Sequence, residues 1–173
     1  MKKAIQFLCL SLFFAAFGCS PISVKSDYDR EVDFVHYQTF KWMPFPKGKR
    51  AQKTVKPNSL LDKRIRRAVE SQLREKGYEM VRSGEADVLL AYHIGVKQRV
   101  DVSYVGYGYW RWPRGRVHAH RYKEGTLIVD MVDPNRKQLV WRGWAVGVVG
   151  NVEVSEEKIN QSVTKILEKF PPL

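Results

Sequence analysis

The segment from Ser103 to Gly125 carries the side chains of this chain that are best suited to bind a ligand. Aromatic rings alternate there with arginines; such rings can stack on bases or sugars, while arginines pair with phosphate or carboxylate groups. The candidate contacts with a ligand or partner are Tyr107, Tyr109, Trp110, Arg111, Trp112, Arg114 and Arg116. Packing of the rings on one another at the end of a long, twisted hairpin is the alternative interpretation.

Histidines could bind a metal only if distant parts of the chain met. His118 and His120 are two residues apart, so both would project from one face of a strand and could begin a zinc site. The other histidines, His36 and His93, are far away in sequence, and no carboxylate has a diagnostic spacing. We therefore predict exposed strand histidines and no metal site.

Asp130 and Asp133 could imitate a catalytic carboxylate pair. A hairpin turn explains Asp133 more simply, and Asp130 is expected on the solvent-facing side of a strand. The sequence contains no nucleophile elbow, zinc-protease motif or phosphate-binding glycine loop. We predict no catalytic residue and no cofactor.

Residues 1–18 have the pattern of a signal peptide, and Cys19 has that of a lipid-attachment site. Two lysines precede an apolar stretch, Ala4 to Phe17, which is shorter than the roughly 20 residues that span a bilayer. The last four residues up to Cys19 resemble a lipobox, although an ordinary signal peptidase could cut the same bond. Cys9 would leave with the signal peptide, so Cys19 would be an unpaired cysteine and a site for acylation.

The predicted organisation is a signal peptide over 1–18, a lipid-anchored tether over 19–23 and a single domain over 24–173. Ser20 follows the cysteine, whereas Asp is the usual inner-membrane retention signal in lipoproteins of this kind. We expect an outer-membrane anchor that faces the periplasm. The formal charge of +12, which falls by two with the signal peptide, predicts anionic lipid, glycolipid or peptidoglycan, or an envelope protein, as partner. Nucleic acid is not an expected partner in that compartment.

Hydrophobic periodicity predicts the elements that would position these residues. Two-residue alternation favours strands, and a stripe at helical spacing favours an amphipathic helix. The predicted strands are 24–28, 39–42, 86–104, 126–132 and 138–146, and the predicted helices are 59–76 and a segment from Ser155 to Phe170. Apolar residues alternate from Val88 to Tyr104 with a break at Gln98, so one face of that strand is expected to be buried along its length.

The element order is strand, strand, helix, four strands, helix, and the ranges above give the bounds of three of those four later strands. One half-buried sheet and two amphipathic helices predict an α+β domain. We expect a two-layer sandwich in which both helices pack on one face of a mostly antiparallel sheet.

The sequence also resembles a known family in five segments. They are SVKSDYDREVDFVHYQTFKW, NSLLDKRIRRAVESQLREKGYEMV, ADVLLAYHIGV, EGTLIVDMVDPNRKQLVWRGWA and ILEKFPP. These segments are similar to the small bacterial envelope lipoproteins that carry domain of unknown function 4136. The resemblance implies an anchored domain that faces the periplasm, and it implies no active site.

The leading hypothesis is a non-enzymatic lipoprotein that binds or organises an envelope component at the membrane surface. One alternative is an envelope hydrolase of sugar or phosphate substrates that uses Asp130, Asp133, His118 or His120. A second alternative is a protein adaptor that docks its partner through residues 104–122.

Overall fold

The computed structural model describes residues 22–44, 59–105, 116–149 and 154–172, and for 101–105 and 116–120 it describes the backbone alone. The elements are β1 (Ser23–Tyr28), a 3-10 turn (Phe34–His36), β2 (Thr39–Trp42), α1 (Ser59–Glu75), β3 (Glu79–Met80), β4 (Val88–Val105), β5 (Arg116–Asp133), β6 (Gln138–Val149) and α2 (Glu156–Leu167). The predicted order of strands and helices is confirmed.

The described strands form one six-stranded sheet in the order β1-β6-β5-β4-β2-β3. The pairs β1–β6, β5–β6 and β4–β5 are antiparallel, whereas β2 lies parallel to both β3 and β4. The α+β class is thus confirmed, and the expectation of a mostly antiparallel sheet is confirmed in part, because two of the five strand pairs are parallel and the sheet is mixed. The reason is that α1 connects β2 to β3 as a crossover, which leaves these two strands pointing the same way.

Both helices contribute apolar stripes to a common core. Ile65, Val69 and Leu73 of α1 are almost fully buried, as the helical spacing predicted. The Tyr92 hydroxyl donates to Asp62 of α1 at 2.6 Å, and a Cβ on Gly143 would come close to Ile166 of α2. Because Tyr92 and Gly143 both pair with Val129, these contacts place the two helices over one row of the sheet.

A β-bulge interrupts the pairing of β5 with β6 at Met131/Val132. Before the bulge Asp133 lies opposite Gln138, and after it Asp130 lies opposite Arg142. The extra residue lets two consecutive side chains, Val140 and Trp141, both be buried. The bulge therefore decides which residue of β6 faces Asp130.

Strands β4 and β5 continue well beyond the rest of the sheet. Pairing with β6 ends at Lys123, but β4 and β5 remain paired from Arg99 and Tyr122 as far as Val105 and Arg116. We call this two-stranded extension, residues 99–105 and 116–122, the arm. Seven residue pairs at about 3.3 Å each give the arm a length of roughly 23 Å.

The arm corrects one expectation about β4. Val88, Leu90 and Tyr92 are buried as predicted, but Val96 and Val100, which continue the same alternation, are 61% and 57% exposed. The apolar alternation of β4 therefore continues beyond the part of the strand that belongs to the core, and Val96 and Val100 lie outside it.

Candidate binding sites at the two ends of the sheet

The chain enters the sheet at the same end from which the arm projects. Ser23, the first residue of β1, lies opposite Val146 of β6, and Val146 in turn lies opposite Thr126 of β5. From Thr126 strand β5 continues away from the sheet towards Arg116. We call this end the arm end, and the opposite end, where β1 finishes at Tyr28, the base.

The described root of the arm is rich in cations. Lys97, Arg99 and Arg121 are exposed. Arg99 forms an ion pair with Glu124 on the neighbouring strand, with Nη2 3.1 Å from Oε1. This pair is more than half exposed on its arginine side, so solvent screens it, and the root of the arm keeps its positive character.

Most of the predicted contact residues lie in the chain that joins the two strands of the arm. Tyr107, Tyr109, Trp110, Arg111, Trp112 and Arg114 fall outside the described residues. Arg116 is the first residue of β5, and its backbone pairs with that of Val105. The predicted segment therefore lies in sequence between Val105 and Arg116, the last described residues of the arm.

The histidines and carboxylates proposed for a hydrolase are not brought together. His118 and His120 occupy arm positions opposite Ser103 and Asp101. Ten residues of extended strand, roughly 33 Å, separate His120 from Asp130. Within the part of the chain that is described, no group of three or more histidine, cysteine or acidic side chains could hold a metal ion.

Asp133 organises the turn between β5 and β6, as the sequence predicted. Its Oδ1 accepts hydrogen bonds from the backbone N–H groups of Asn135 and Arg136, and its Oδ2 accepts one from the Tyr37 hydroxyl at 2.9 Å. Burial opposes ionisation of this carboxyl, but these donors outweigh it and lower the pKa of Asp133. For Tyr37, burial and then the bond to Asp133 raise the pKa to about 12, so its hydroxyl stays protonated.

Asp130 lies on the face of the sheet away from the core, as predicted, but the expectation that it is solvated is wrong. It is only 4% exposed although it lies on the sheet face opposite Val129 and Met131, which belong to the core. Arg142 donates two hydrogen bonds to its carboxylate, from Nε to Oδ1 at 2.6 Å and from Nη2 to Oδ2 at 2.7 Å. The hydrogen bond to Asp130 also raises the pKa of Arg142.

His93 completes this cluster, since its Nε2 lies 3.3 Å from Oδ2 of Asp130. The imidazole and the guanidinium are 44% and 42% exposed, so they form the solvent side of a buried carboxylate. Sequence reasoning missed the cluster, because the pairing of Asp130 with Arg142 depends on the bulge. The signal that could have found it is the presence of opposite charges on two strands of one hairpin.

A cleft of about 730 Å³ opens at the base. Aromatic, charged and amide side chains line it together with the ends of α1 and of the chain. The residues that line it include Tyr28, Arg30, Asp33, Val35, Tyr37, Gln38, Lys76, Gly77 and Tyr78. They come from the end of β1, the loop before β2 and the turn after α1. Because these segments are far apart in the sequence, no local motif predicts the cleft.

The rings of the cleft are held by contacts with buried aromatic residues, edge-to-face for Tyr28 and Tyr37 and tilted for Tyr78. Phe34, 7% exposed, lies 6.1 Å from Tyr28 and 5.9 Å from Tyr37 between ring centroids, with interplanar angles of 77° and 84°. Phe170, 1% exposed, lies 5.4 Å from Tyr78. These contacts fix the positions of the three tyrosines in the wall of the cleft.

The geometry defines an α+β domain with a basic arm at one end of a mixed sheet and an aromatic cleft at the other. The chain belongs to the family described as domain of unknown function (DUF4136), whose model matches residues 24–172. The predicted family membership is thus confirmed over nearly the whole chain. No curated protein matches the sequence.

Two solved structures are similar in fold. A PDZ domain protein from Parabacteroides distasonis is 12% identical with a TM-score of 0.57; the match covers 97% of this chain but 40% of that one. A variant PelC dodecamer from Paraburkholderia phytofirmans is 7% identical with a TM-score of 0.51, over 85% of this chain and 95% of that one. These likenesses concern the fold alone. Among the described residues, no helix is long and apolar enough to cross a membrane.

Proposed function

We propose that this chain is a two-layer α+β lipoprotein domain, acylated at Cys19, that holds its arm against anionic lipid headgroups. It acts as a non-enzymatic binding module on the outer membrane and faces the periplasm. The observation that carries the proposal is that β1 begins at the arm end of the sheet. Placing the anchor and the arm at one end directs both towards the same surface.

The reach of the tether limits how far the arm can stand from the bilayer. Cys19 precedes Ser23 by four residues, which span roughly 14 Å at most. Thr126 is level with Ser23 across the sheet, and from there strand β5 extends about 33 Å to Arg116, of which the arm makes up roughly 23 Å. An arm that continues the sheet towards the bilayer therefore meets the headgroup layer before it ends.

The chemistry of the arm suits that surface. Each lysine or arginine near an anionic surface contributes about 1 kcal/mol of attraction, which salt screens. Lys97, Arg99 and Arg121 are exposed and available for this attraction. The sequence at the end of the arm adds tyrosine and tryptophan, which concentrate at membrane interfaces, in the segment 107–112.

Vesicle flotation tests the membrane contact. The chain from residue 19, with Cys19→Ser, retains the complete core, whose residues lie between Ile22 and Phe170. We expect it to float with equimolar phosphatidylglycerol–phosphatidylcholine vesicles at low salt, to be released at high salt, and not to bind phosphatidylcholine alone. The triple variant Lys97→Gln/Arg99→Gln/Arg121→Gln should bind about 100-fold more weakly.

A matched control variant distinguishes the effect of the cations at the arm from the effect of net charge alone. Arg82→Gln/Lys165→Gln/Lys169→Gln removes the same charge from exposed positions outside the arm and its root, and should leave binding nearly unchanged. Equal losses in the two triple variants, or binding that salt does not weaken, would contradict the proposal. The lipid anchor is checked separately: the N-terminal peptide of the mature protein should have the mass of an acylated, not an unmodified, Cys19.

A protein adaptor is the second candidate, because the exposed Val96 and Val100 offer an apolar surface at the root of the arm. The similar PelC forms a dodecamer, so a second copy of this chain is one possible partner. Crosslinking in cells, comparing the wild-type chain with one that lacks residues 106–115, would show an arm-dependent protein contact. A hydrolase is not proposed, since the strand geometry separates Asp130 from His118 and His120.

A further inference from the structure

We propose that the cleft at the base binds a carboxylate-bearing sugar, of the size of a disaccharide. Its volume of about 730 Å³ lies within the roughly 300–1,000 Å³ typical of sites for small ligands. The site is distinct from the arm, since it lies at the opposite end of the sheet.

The charges of the cleft favour an anion. Arg30 and Lys76 are exposed in its lining, and within the described parts of the chain neither forms an ion pair. Asp33, whose Oδ1 accepts the Val35 N–H and whose Oδ2 lies 3.4 Å from Nδ1 of His36, adds one carboxylate, so the described lining carries two cations against one acid. An arginine and a lysine without carboxylate partners are suited to a carboxylate or phosphate group.

The walls of the cleft favour a ring with both apolar and polar edges. Tyr28, Tyr37 and Tyr78 offer aromatic surface, and their positions are fixed by Phe34 and Phe170 behind them. A sugar presents apolar C–H faces to such rings, while its hydroxyl groups can bond to polar neighbours. The exposed amide of Gln38 supplies both a donor and an acceptor at the cleft.

The position of the cleft in the fold favours a sugar ligand over a lipid. The base is the end of the sheet away from the start of β1 and from the arm. If the arm end faces the bilayer, the cleft opens towards the aqueous side, where wall glycans lie. The choice of sugar over nucleotide thus rests on the proposed location, whereas the preference for an anion rests on the cleft itself.

Titration with defined probes tests the inference. The chain from residue 19 with Cys19→Ser is titrated with the disaccharide N-acetylglucosaminyl–N-acetylmuramic acid while amide NMR shifts are recorded. We expect shifts at Gln38 and Gly77, which line the cleft, and none on the arm. The neutral disaccharide di-N-acetylglucosamine should bind about tenfold or more weakly, because it lacks the carboxylate.

Substitution of the two cations provides the discriminating variant. Arg30→Gln/Lys76→Gln should weaken binding of the acidic disaccharide about tenfold or more. Arg82→Gln/Lys165→Gln, with the same change of charge, should bind like the wild type, and the unfolding temperature of each variant reports whether it is folded. Equal affinity for both disaccharides, preferred binding of uridine monophosphate or of a glutamate-rich peptide, or no shifts at all would overturn the inference. Vesicle flotation does not use this cleft, so the two proposals can fail independently.

Discussion

Substitutions that break the ion pair between Asp130 and Arg142 should lower the free energy of unfolding, even though the arginine is partly exposed to solvent. Asp130→Asn removes the charge from a carboxyl group that is 4% exposed and leaves the guanidinium without its counter-ion. Arg142→Gln removes the other partner and leaves the buried carboxylate with only His93, 3.3 Å away. The two single variants and the double variant form a thermodynamic cycle, which isolates the energy of the pair.

The geometry sets the expected size of that energy. A bidentate pair with bonds of 2.6 Å and 2.7 Å is among the stronger charged hydrogen bonds, and breaking a fully buried pair costs about 3–5 kcal/mol. The 42% exposure of Arg142 admits solvent and lowers this value. We therefore expect a coupling of about 2 kcal/mol between the two residues. A loss of that size in a single variant would lower the unfolding temperature of a domain of about 150 residues by roughly 4–8 °C.

The assay is urea unfolding, followed by tryptophan fluorescence, to which the buried Trp141 contributes. The pair Arg99–Glu124 is a matched control, since it also joins an arginine to a carboxylate across two strands, at 3.1 Å, but its arginine is 54% exposed. Its cycle should give less than about 1 kcal/mol. Equal coupling in the two cycles, or coupling below about 0.5 kcal/mol for Asp130 and Arg142, would refute the reasoning from burial.

Two further substitutions test how the fold is held. The Asp87 carboxylate accepts hydrogen bonds from the hydroxyl of Thr39 at 2.6 Å and from two backbone N–H groups, and these lower its pKa from the ordinary 3.8. The stability that the Asp87 carboxylate adds to the folded state is therefore present above pH 3.8 and is lost as the pH falls below that value. Asp87→Asn should lower the free energy of unfolding by about 1 kcal/mol at pH 7 and by less at pH 3. Equal losses at the two pH values, measured by urea unfolding, would contradict this. Gly143→Ala would place a Cβ 2.6 Å from Cγ2 of Ile166 and should lower the free energy of unfolding by about 1–3 kcal/mol. Gly95→Ala is the control, since a Cβ there would meet no atom within 4 Å and should change stability little. Similar unfolding temperatures for the two variants would contradict the close packing at Gly143.

Local patterns predicted the elements of this fold well, because alternation and helical spacing record which side chains face the core. The stripe Ile65–Val69–Leu73 and the buried residues Val88, Leu90 and Tyr92 follow directly from these patterns. The same alternation misled at Val96 and Val100, since a pattern within one strand does not show where its neighbouring strands end. The parallel pairing of β2 was likewise missed, because it is decided by the crossover through α1.

The candidate sites were less accessible to sequence reasoning. The turn role of Asp133 could be predicted, because it depends on neighbours within three residues. The burial of Asp130 could not, since one inserted residue in β6 changes its partner from Trp141 to Arg142. The base cleft joins Tyr28, Tyr78 and the end of the chain, which only the tertiary structure brings together.

In the proposed function, the arm end of the domain faces an anionic membrane. Val100 and Val35 provide matched probes, since both are exposed valines, one on the arm and one at the base. After Cys19→Ser the chain from residue 19 has no cysteine, so Val100→Cys or Val35→Cys gives a single site for a nitroxide label. We predict that phosphatidylglycerol-containing vesicles protect the label at position 100, but not that at position 35, from a water-soluble paramagnetic relaxant. Protection at position 35 instead, or at neither position, would contradict the account.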